Sequence, residues 1–301
     1  MKSISIIPKD EAHWLELRKQ DLTSTEISAL FGISPYSTEF EVWHRHKDGL
    51  SVGFEANERS TWGLRLQDSI AKGIAEDEKW KVRRMPEYMR DEKLRVGSSF
   101  DFAIEEKGLL EIKNVDALVF KDGWLVEDGE LEAPPHIEMQ LQHQLMVSDR
   151  SFAYIGALIG GNTIKLLKRE PDDKVFKAIQ KKAEQFWNTI ADGKAPDPDF
   201  SRDIDTIKAL YSQAKEGTVL DVRNDREITS LMHEYQALNA NKKVIETSLE
   251  EIKGQLILKA GDAEKLIGEN FSISMGVVKG GHVEYDRKDY RAFKPFFKKV
   301  K

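Results

Sequence analysis

Three charged residues with a regular spacing are the part of this sequence best suited to chemistry. Asp101 is followed by Glu111 and Lys113 in the pattern D-x9-E-x-K, within the runs SSFDFAI and LLEIKNV. Side chains alternate between the two faces of a β-strand, so Glu111 and Lys113 share one face and their apolar neighbours share the other. A turn at residues 105–108 would pair the two runs as a hairpin and place Asp101 almost directly opposite Glu111.

Two carboxylates that face each other repel, and a bound cation would turn that repulsion into binding. Magnesium prefers hard oxygen ligands. We therefore predict a Mg²⁺ or Mn²⁺ site at Asp101 and Glu111, with the backbone carbonyl of Ile112 as a further ligand. Lys113 would position or help deprotonate an attacking water, or balance the charge of a phosphate. The alternative is a surface hairpin whose three charged residues form a cross-strand ion pair of little energetic value.

Two predicted helices flank this hairpin in the sequence, and each carries a glutamine. Apolar residues recur every four positions from Trp62 to Ile74, which predicts an amphipathic helix with Gln67 beside its apolar stripe. The run HIEMQLQHQLMV follows two prolines and predicts a second helix, which carries Gln140. Each helix would bring an amide toward the acidic pair, with Gln142 as the candidate if the register differs. The alternatives are a surface glutamine without a role at position 67 and a core-edge amide at position 140.

The order of the elements predicts an α/β fold with two parts. Strands at SFAYIGALIGG and TIKLLKR and a helix over residues 175–190 precede the proline- and aspartate-rich stretch DGKAPDPDF, which is typical of a linker. We therefore predict a first domain at residues 1–195, a small mixed sheet flanked by helices. Residues 196–301 form a C-terminal extension with a coiled-coil-like helix or helical hairpin over residues 228–256. A β-hairpin is predicted in the extension around residues 279–281.

Composition limits the classes of function that are open to this chain. The sequence has no cysteine, which excludes disulfides and thiolate metal sites. It has neither a signal-peptide core nor an apolar run of about 18 residues, so we expect a soluble, cytoplasmic protein without a membrane partner. The formal net charge of −6 argues against non-specific wrapping of nucleic acid unless basic residues cluster locally, as they do at residues 177–182.

A second candidate site lies near the start of the chain. Thr23 and Glu26 have the spacing of a capping box that opens a helix, and Arg18 and Thr25 lie close by in sequence. A helix N-terminus with free N–H groups, two hydroxyls and a guanidinium suits a phosphate, so we predict a phosphate site at Arg18, Thr23 and Thr25. The alternative is an ordinary helix cap beside a solvated arginine.

Taken in order, these motifs resemble the lambda-type alkaline exonuclease family, also called YqaJ-like viral recombinases, in the PD-(D/E)xK nuclease superfamily. The resemblance spans roughly residues 11–190 and rests on WLELRKQDLTSTEIS, WGLRLQDSIA, FD, EIK and QLQHQL. It implies a restriction-endonuclease-like core in which Asp101 and Glu111 bind two Mg²⁺ or Mn²⁺ ions, Lys113 is the catalytic lysine and Gln140 lines the site. Similar enzymes often have glutamate or histidine where this chain has Gln67, which is a weaker, neutral ligand.

The resemblance also implies an activity and partners. Similar proteins digest one strand of linear double-stranded DNA from the 5′ end, hand the remaining strand to a single-strand annealing protein, and often form trimers. In such proteins the region of Arg18 binds the 5′-phosphate of the DNA end. Two alternatives stay open: a non-catalytic DNA-binding recombination scaffold, and a structure-specific endonuclease of the same superfamily.

Overall fold

The chain folds into two compact units, Met1–Tyr211 and Ser212–Lys301. The structure, a computed structural model, describes residues 2–50, 58–105, 107–127, 130–286 and 290–297. Glu106, in the middle of the predicted hairpin turn, lies outside the described residues. Among the described residues no helix is both long and apolar enough to span a membrane.

The first unit contains both helices and strands. In chain order they are β1 (Ile4–Ile6), α1 (Glu11–Gln20), β2 (Leu22–Thr23), α2 (Ile27–Leu30), α3 (Glu39–Asp48), α4 (Glu58–Glu78), β3 (Val82–Arg84), β4 (Tyr88–Asp91), β5 (Val96–Ser98), β6 (Phe102–Ile104), β7 (Gly108–Val115), α5 (Ala117–Gly123), β8 (Leu125–Glu127), β9 (Glu130–Glu132), α6 (Pro135–Ser148), β10 (Phe152–Ile159), β11 (Thr163–Arg169), α7 (Asp173–Asp192) and α8 (Ile204–Leu210). The predicted α/β class, a small mixed sheet flanked by helices, is confirmed.

A five-stranded mixed sheet forms the centre of this unit, in the order β11-β10-β7-β6-β3. Strands β7 and β10 are parallel, and the other neighbours are antiparallel. The hairpin of β6 and β7 pairs Phe102 with Leu110 and Ile104 with Gly108, which confirms the predicted register. Helices pack on both faces of the sheet, so Gly108–Ile112 of β7 are all buried.

Helix α4 covers one face of this sheet. Its side chains Ile70 and Ile74 pack against a cluster from the strands that includes Leu110 and Ile112. Gly156 in β10 permits the close approach, since a Cβ at this position would lie 2.6 Å from Cδ1 of Ile74. The helix predicted from residue 62 onward is thus confirmed, and its distance from the sheet depends on a glycine.

Helices α6 and α7 contribute to the other side of the core. Leu141 and Leu145 of α6 and Ile179 of α7 are almost fully buried in a cluster with Leu109 and Ile155 of the sheet. Fully burying side chains of this size contributes roughly 1.5–3 kcal/mol each. Both helices were predicted from the spacing of their apolar residues, and both are confirmed.

The run SSFDFAI, predicted as one strand of the hairpin, is divided between the central sheet and a second sheet of four strands. Its order is β1-β4-β5-β2, and β5 ends at Ser98 while β6 begins at Phe102 in the other sheet. The prediction of one continuous strand over SSFDFAI was therefore wrong. The chain leaves one sheet and enters the next at residues 99–101, because the two halves of this run pair with different partners.

The segment predicted to form a helix from Thr23 instead begins as a strand. Thr23 belongs to β2, which pairs in parallel with β5, and helix α2 occupies only Ile27–Leu30. The capping contact itself exists, since the backbone N–H of Thr23 donates to Oε2 of Glu26 at 3.1 Å. The backbone at residues 22–23 is paired with β5, so the helix begins only after this strand ends.

The second unit contains one long helix and one small hairpin among its described residues. Helix α9 (Arg226–Ala260) confirms the prediction for residues 228–256 as a single helix, and β12 (Lys265–Ile267) pairs with β13 (Ser272–Ser274). The predicted hairpin around residues 279–281 was wrong, because β13 pairs with the strand before it and residues 275–286 contain no strand. No residue of α9 is buried.

The segment after residue 195 packs on the first unit up to Tyr211. Oγ1 of Thr38 donates to Oδ1 of Asp203 at 2.5 Å, and Nη2 of Arg202 donates to the carbonyl of Ser34 at 2.8 Å. Asp203 is 1% exposed. The predicted boundary at residue 195 thus lies inside the first compact unit. The local composition indicates a linker, but it carries no information about contacts with residues as distant as Ser34 and Thr38.

We expect a chain that ends after Tyr211 to be more stable than a chain that ends after residue 195, by about 2 kcal/mol, because the shorter chain loses charged hydrogen bonds at a buried position. Denaturant unfolding of the two chains measures the difference. Asp203→Ala in the longer chain should reproduce most of the loss, whereas Asp205→Ala, at an exposed position, should not. Equal stability of the two truncated chains would contradict the placement of this segment.

Candidate active site

Strand β7 brings two of the predicted residues into contact near its middle. Glu111 is 6% exposed, and the side chain of Lys113 on the same face is 24% exposed. Nζ of Lys113 donates to Oε1 of Glu111 at 2.7 Å. The pair is thus enclosed by the protein, and the alternative of a solvent-exposed ion pair does not describe it.

Asp101 completes the acidic pair from the point where the chain enters β6. The register of the hairpin, continued by one residue beyond Phe102, places Asp101 opposite Glu111. The backbone N–H of Ile112 donates to Oδ2 of Asp101 at 2.8 Å, so a carboxylate takes the place of a strand carbonyl as the acceptor. The break between the two sheets at residues 99–101 therefore positions the Asp101 side chain.

Amides from both flanking helices reach the carboxylates. Nε2 of Gln67 on α4 donates to Oδ1 of Asp101 at 3.0 Å. On α6, Nε2 of Gln140 donates to Oε1 of Glu111 at 2.6 Å, and Oε1 of Gln140 accepts from Nζ of Lys113 at 3.0 Å. The two helices were predicted to bring one amide each, and the structure places both amides on the acidic pair.

A third amide was not proposed as a site residue in the sequence analysis. Nε2 of Gln144 donates to Oε2 of Glu111 at 2.9 Å, one helical turn after Gln140 on the same face of α6. The i, i+4 spacing of the two glutamines is the signal that could have identified it. The alternative candidate Gln142 faces elsewhere, since its Nε2 donates to the carbonyl of Glu170 at 2.9 Å.

The electrostatics of the site follow from burial of like charges. Burial, and then the negative charge of Glu111, raise the pKa of Asp101 to about 7, against the hydrogen bond from Ile112 and the charge of Lys113. Burial alone would lower the pKa of Lys113, but the charge and hydrogen bond of Glu111 outweigh it and raise that pKa. The lysine therefore stays charged, while the two carboxylates lack a full neutralising partner.

The donor set fits a hard divalent cation. Asp101 and Glu111 offer carboxylate oxygens at one point. The backbone carbonyl of Ile112 and the side-chain amide of Gln67 carry two further oxygens on residues that contact Asp101. Among the described residues no group of three or more His, Cys, Asp or Glu side chains could hold a metal ion. The oxygen donors at this point are therefore two carboxylates and neutral oxygens.

Two aromatic side chains near Lys113 were also not singled out in the sequence analysis. The ring of Tyr36, which is 82% exposed, meets the ring of His136 edge to face at a centroid distance of 5.5 Å. Burial, and then the positive charge of Lys113, lower the pKa of His136. His136 lies one helical turn before Gln140, and that spacing on α6 is the signal that could have identified it.

The predicted phosphate residues are brought together in part. Nη2 of Arg18 lies 3.4 Å from Oγ1 of Thr25, and its guanidinium is 4.8 Å from the ring centroid of Trp14. Thr23 is 1% exposed, and its hydroxyl donates to Oε2 of Glu26 at 2.8 Å. Arg18 and Thr25 are therefore available to a ligand, whereas Thr23 is turned inward and lies 3.2 Å from the hydroxyl of Thr25.

Comparison with known proteins gives a family and several related chains. The curated protein YqaJ of Bacillus subtilis (strain 168), itself uncharacterized, is 27% identical over 267 residues, which cover 86% of this chain and 81% of that protein. Among solved structures, the alkaline exonuclease LHK-Exo of Laribacter hongkongensis is 16% identical with a TM-score of 0.49, covering 61% of this chain and 94% of its own. A phage-related exonuclease of Haemophilus somnus is 14% identical with a TM-score of 0.39, covering 62% and 90%.

The family model for the YqaJ-like viral recombinase domain matches residues 13–151. This range contains both carboxylates, the lysine of β7 and all three amides described above. The resemblance inferred from the motifs is thereby confirmed: residues 13–151 match the YqaJ-like viral recombinase domain.

Proposed function

We propose that this protein is a metal-dependent DNA exonuclease that hydrolyses linear double-stranded DNA from the 5′ end during phage-type homologous recombination. The family supports a recombination role, and the geometry of the site supports hydrolysis. The observation that carries the proposal is the enclosed cluster of Asp101, Glu111 and Lys113, held by amides from α4 and α6. Two buried carboxylates share a single lysine, which leaves negative charge that a cation would neutralise.

The residues of the site have separate roles in this proposal. Asp101 and Glu111 would hold Mg²⁺ or Mn²⁺, and the bound ion would polarise the phosphate and lower the pKa of a water molecule. Lys113, charged and fixed by Glu111 and Gln140, would position that water or stabilise negative charge on the phosphate. Gln140 and Gln144 keep the oxygens of Glu111 in place by donating to both of them.

The end of the DNA would be held away from these carboxylates. Arg18 and Thr25 present a guanidinium and a hydroxyl that suit a terminal 5′-phosphate. Thr23 would position the hydroxyl of Thr25 and not contact the phosphate itself, because its own hydroxyl donates to Glu26. As partners we propose double-stranded DNA ends, a single-strand annealing protein that receives the remaining strand, and further copies of this chain in a trimer.

Two other functions remain as outcomes of one experiment. End-labelled linear duplex and covalently closed circular duplex are incubated with Mg²⁺ or with EDTA. Release of labelled nucleotides from the linear substrate alone supports the exonuclease. Cutting of the closed circle would instead favour a structure-specific endonuclease, and DNA binding without cleavage would favour a recombination scaffold. The last outcome would be consistent with weak metal binding through the neutral Gln67.

We expect Glu111→Gln and Lys113→Ala each to reduce cleavage by at least about 10²-fold, because both groups act on the reacting atoms in the proposed mechanism. Lys165→Ala, at an exposed lysine of the edge strand β11 in the same sheet, is the matched control and should leave the rate unchanged. Initial rates on end-labelled duplex give the comparison, with circular dichroism to verify folding. Near-normal activity of either site variant would disprove the assignment.

Gln67→Glu should bind Mg²⁺ about tenfold more tightly, since a third carboxylate beside Asp101 adds charge and an oxygen ligand to the site. The same change should lower the thermal stability in EDTA, because it replaces a donor to Asp101 with a like charge. Calorimetric titration with MgCl₂ gives the affinity and the number of ions bound. An affinity equal to that of the parent protein would mean that Gln67 does not adjoin the metal.

Arg18→Ala should weaken the use of 5′-phosphorylated ends by roughly ten- to a hundredfold, since charge-assisted contacts of this kind contribute on the order of 1.5–3 kcal/mol. Duplexes with 5′-hydroxyl ends should lose much less. Lys19→Ala removes an exposed neighbouring charge and serves as the control. An equal loss on both kinds of end would show that Arg18 has no specific role in phosphate binding.

A further inference from the structure

The C-terminal end of the second unit has a composition unlike the rest of the chain. Residues 287–301 read RKDYRAFKPFFKKVK, with seven lysines and arginines and one aspartate, in a protein whose net charge is −6. Aromatic residues alternate with the basic ones, and Tyr290 and Phe293 are each followed directly by a cation. This pattern differs from an ordinary solvated tail, because aromatic residues are depleted in segments that remain unstructured and unbound.

The described part of this segment, residues 290–297, exposes three of its four rings. Tyr290 is 62% exposed, Phe293 is 69% exposed and Phe296 is 85% exposed, and these residues form neither helix nor strand. Phe293 meets the ring of Tyr235 on α9 edge to face at 5.3 Å, which ties the segment to its own unit. Phe293 is thus anchored to α9, and Phe296, further along the segment, is exposed.

Flat rings interleaved with cations match the chemistry of single-stranded nucleic acid. Bases stack on aromatic side chains irrespective of sequence, and lysine or arginine between the rings neutralises the phosphates that link successive bases. Duplex DNA would offer the phosphates but not the unstacked faces of its bases. An anionic lipid surface would favour an amphipathic helix, which residues 290–297 do not form.

We propose that residues 290–297 are a binding site for single-stranded DNA, separate from the nuclease site. Tyr290 and Phe296 stack on bases, while Arg291 and Lys294 contact phosphates. Binding of this kind does not require the chain to cleave DNA. Its use does rest on the proposed function, since an exonuclease that digests one strand of a duplex generates single-stranded DNA, and this site would retain it.

Fluorescence anisotropy of a labelled oligothymidylate with the full-length chain in EDTA tests the proposal. Phe296→Ala should weaken binding by about five- to 150-fold without changing the salt dependence, because it removes stacking and no charge. Lys294→Gln should reduce the slope of log affinity against log salt concentration by about 0.7, because one phosphate contact is lost. The different effects of the two variants separate stacking from general electrostatic attraction.

Two control variants match these changes. Phe200→Ala removes a ring that is 75% exposed next to Asp199, and Lys265→Gln removes an exposed lysine on β12. Neither should change the affinity for the oligonucleotide. Unaltered binding in both Phe296→Ala and Lys294→Gln would overturn the proposal. So would a preference for phosphatidylserine vesicles over the oligonucleotide, or equal affinity for duplex and single strand that is insensitive to Phe296.

The result stays distinct from that of the nuclease tests. Phe296→Ala should digest a short duplex at the parental rate, because Phe296 has no part in the proposed catalytic site. If the parent chain cleaves no DNA while the oligonucleotide results hold, the nuclease proposal fails and the single-strand site stands. If cleavage is normal and the variants bind like the parent, the single-strand site fails and the nuclease proposal stands.

Discussion

Burial of two carboxylates at one point is the interaction on which the rest of the site depends. Asp101 and Glu111 lie opposite each other inside the first unit, and a single lysine, Lys113, hydrogen-bonds to Glu111. Their repulsion is large enough, together with burial, to bring the pKa of Asp101 to about 7. Such an arrangement is stable because every carboxylate oxygen accepts a hydrogen bond from an amide, a backbone N–H or Lys113.

The architecture supplies these donors from elements that are far apart in sequence. Helix α4 approaches closely because Gly156 has no Cβ, and α6 is fixed from the other side by buried leucines. Strand β7 lies between two neighbours, so the acidic group sits on a rigid central element and not on a loop. Groups that must keep a fixed geometry for a metal and a phosphate benefit from such support.

Local periodicity was enough to predict the parts of the fold that repeat regularly. Helices α4, α6, α7 and α9 and the register of β6 with β7 follow from spacing alone, and with them the proximity of Asp101, Glu111 and Lys113. The break at residues 99–101 could not be predicted, since it arises from a choice of strand partners in two sheets. Gln144 was missed and Thr23 was predicted to open a helix, because the partners of both residues are set by tertiary contacts.

The hydrogen bond between Thr38 and Asp203 has a consequence for how the chain acquires its structure. The two residues are 165 positions apart in sequence. During synthesis from the N-terminus, helix α3 and the central sheet leave the ribosome well before their partner segment does. Until residues 196–211 emerge, the nascent first unit lacks the segment that hydrogen-bonds to Ser34 and Thr38. Chaperones and proteases would encounter the nascent chain in that state.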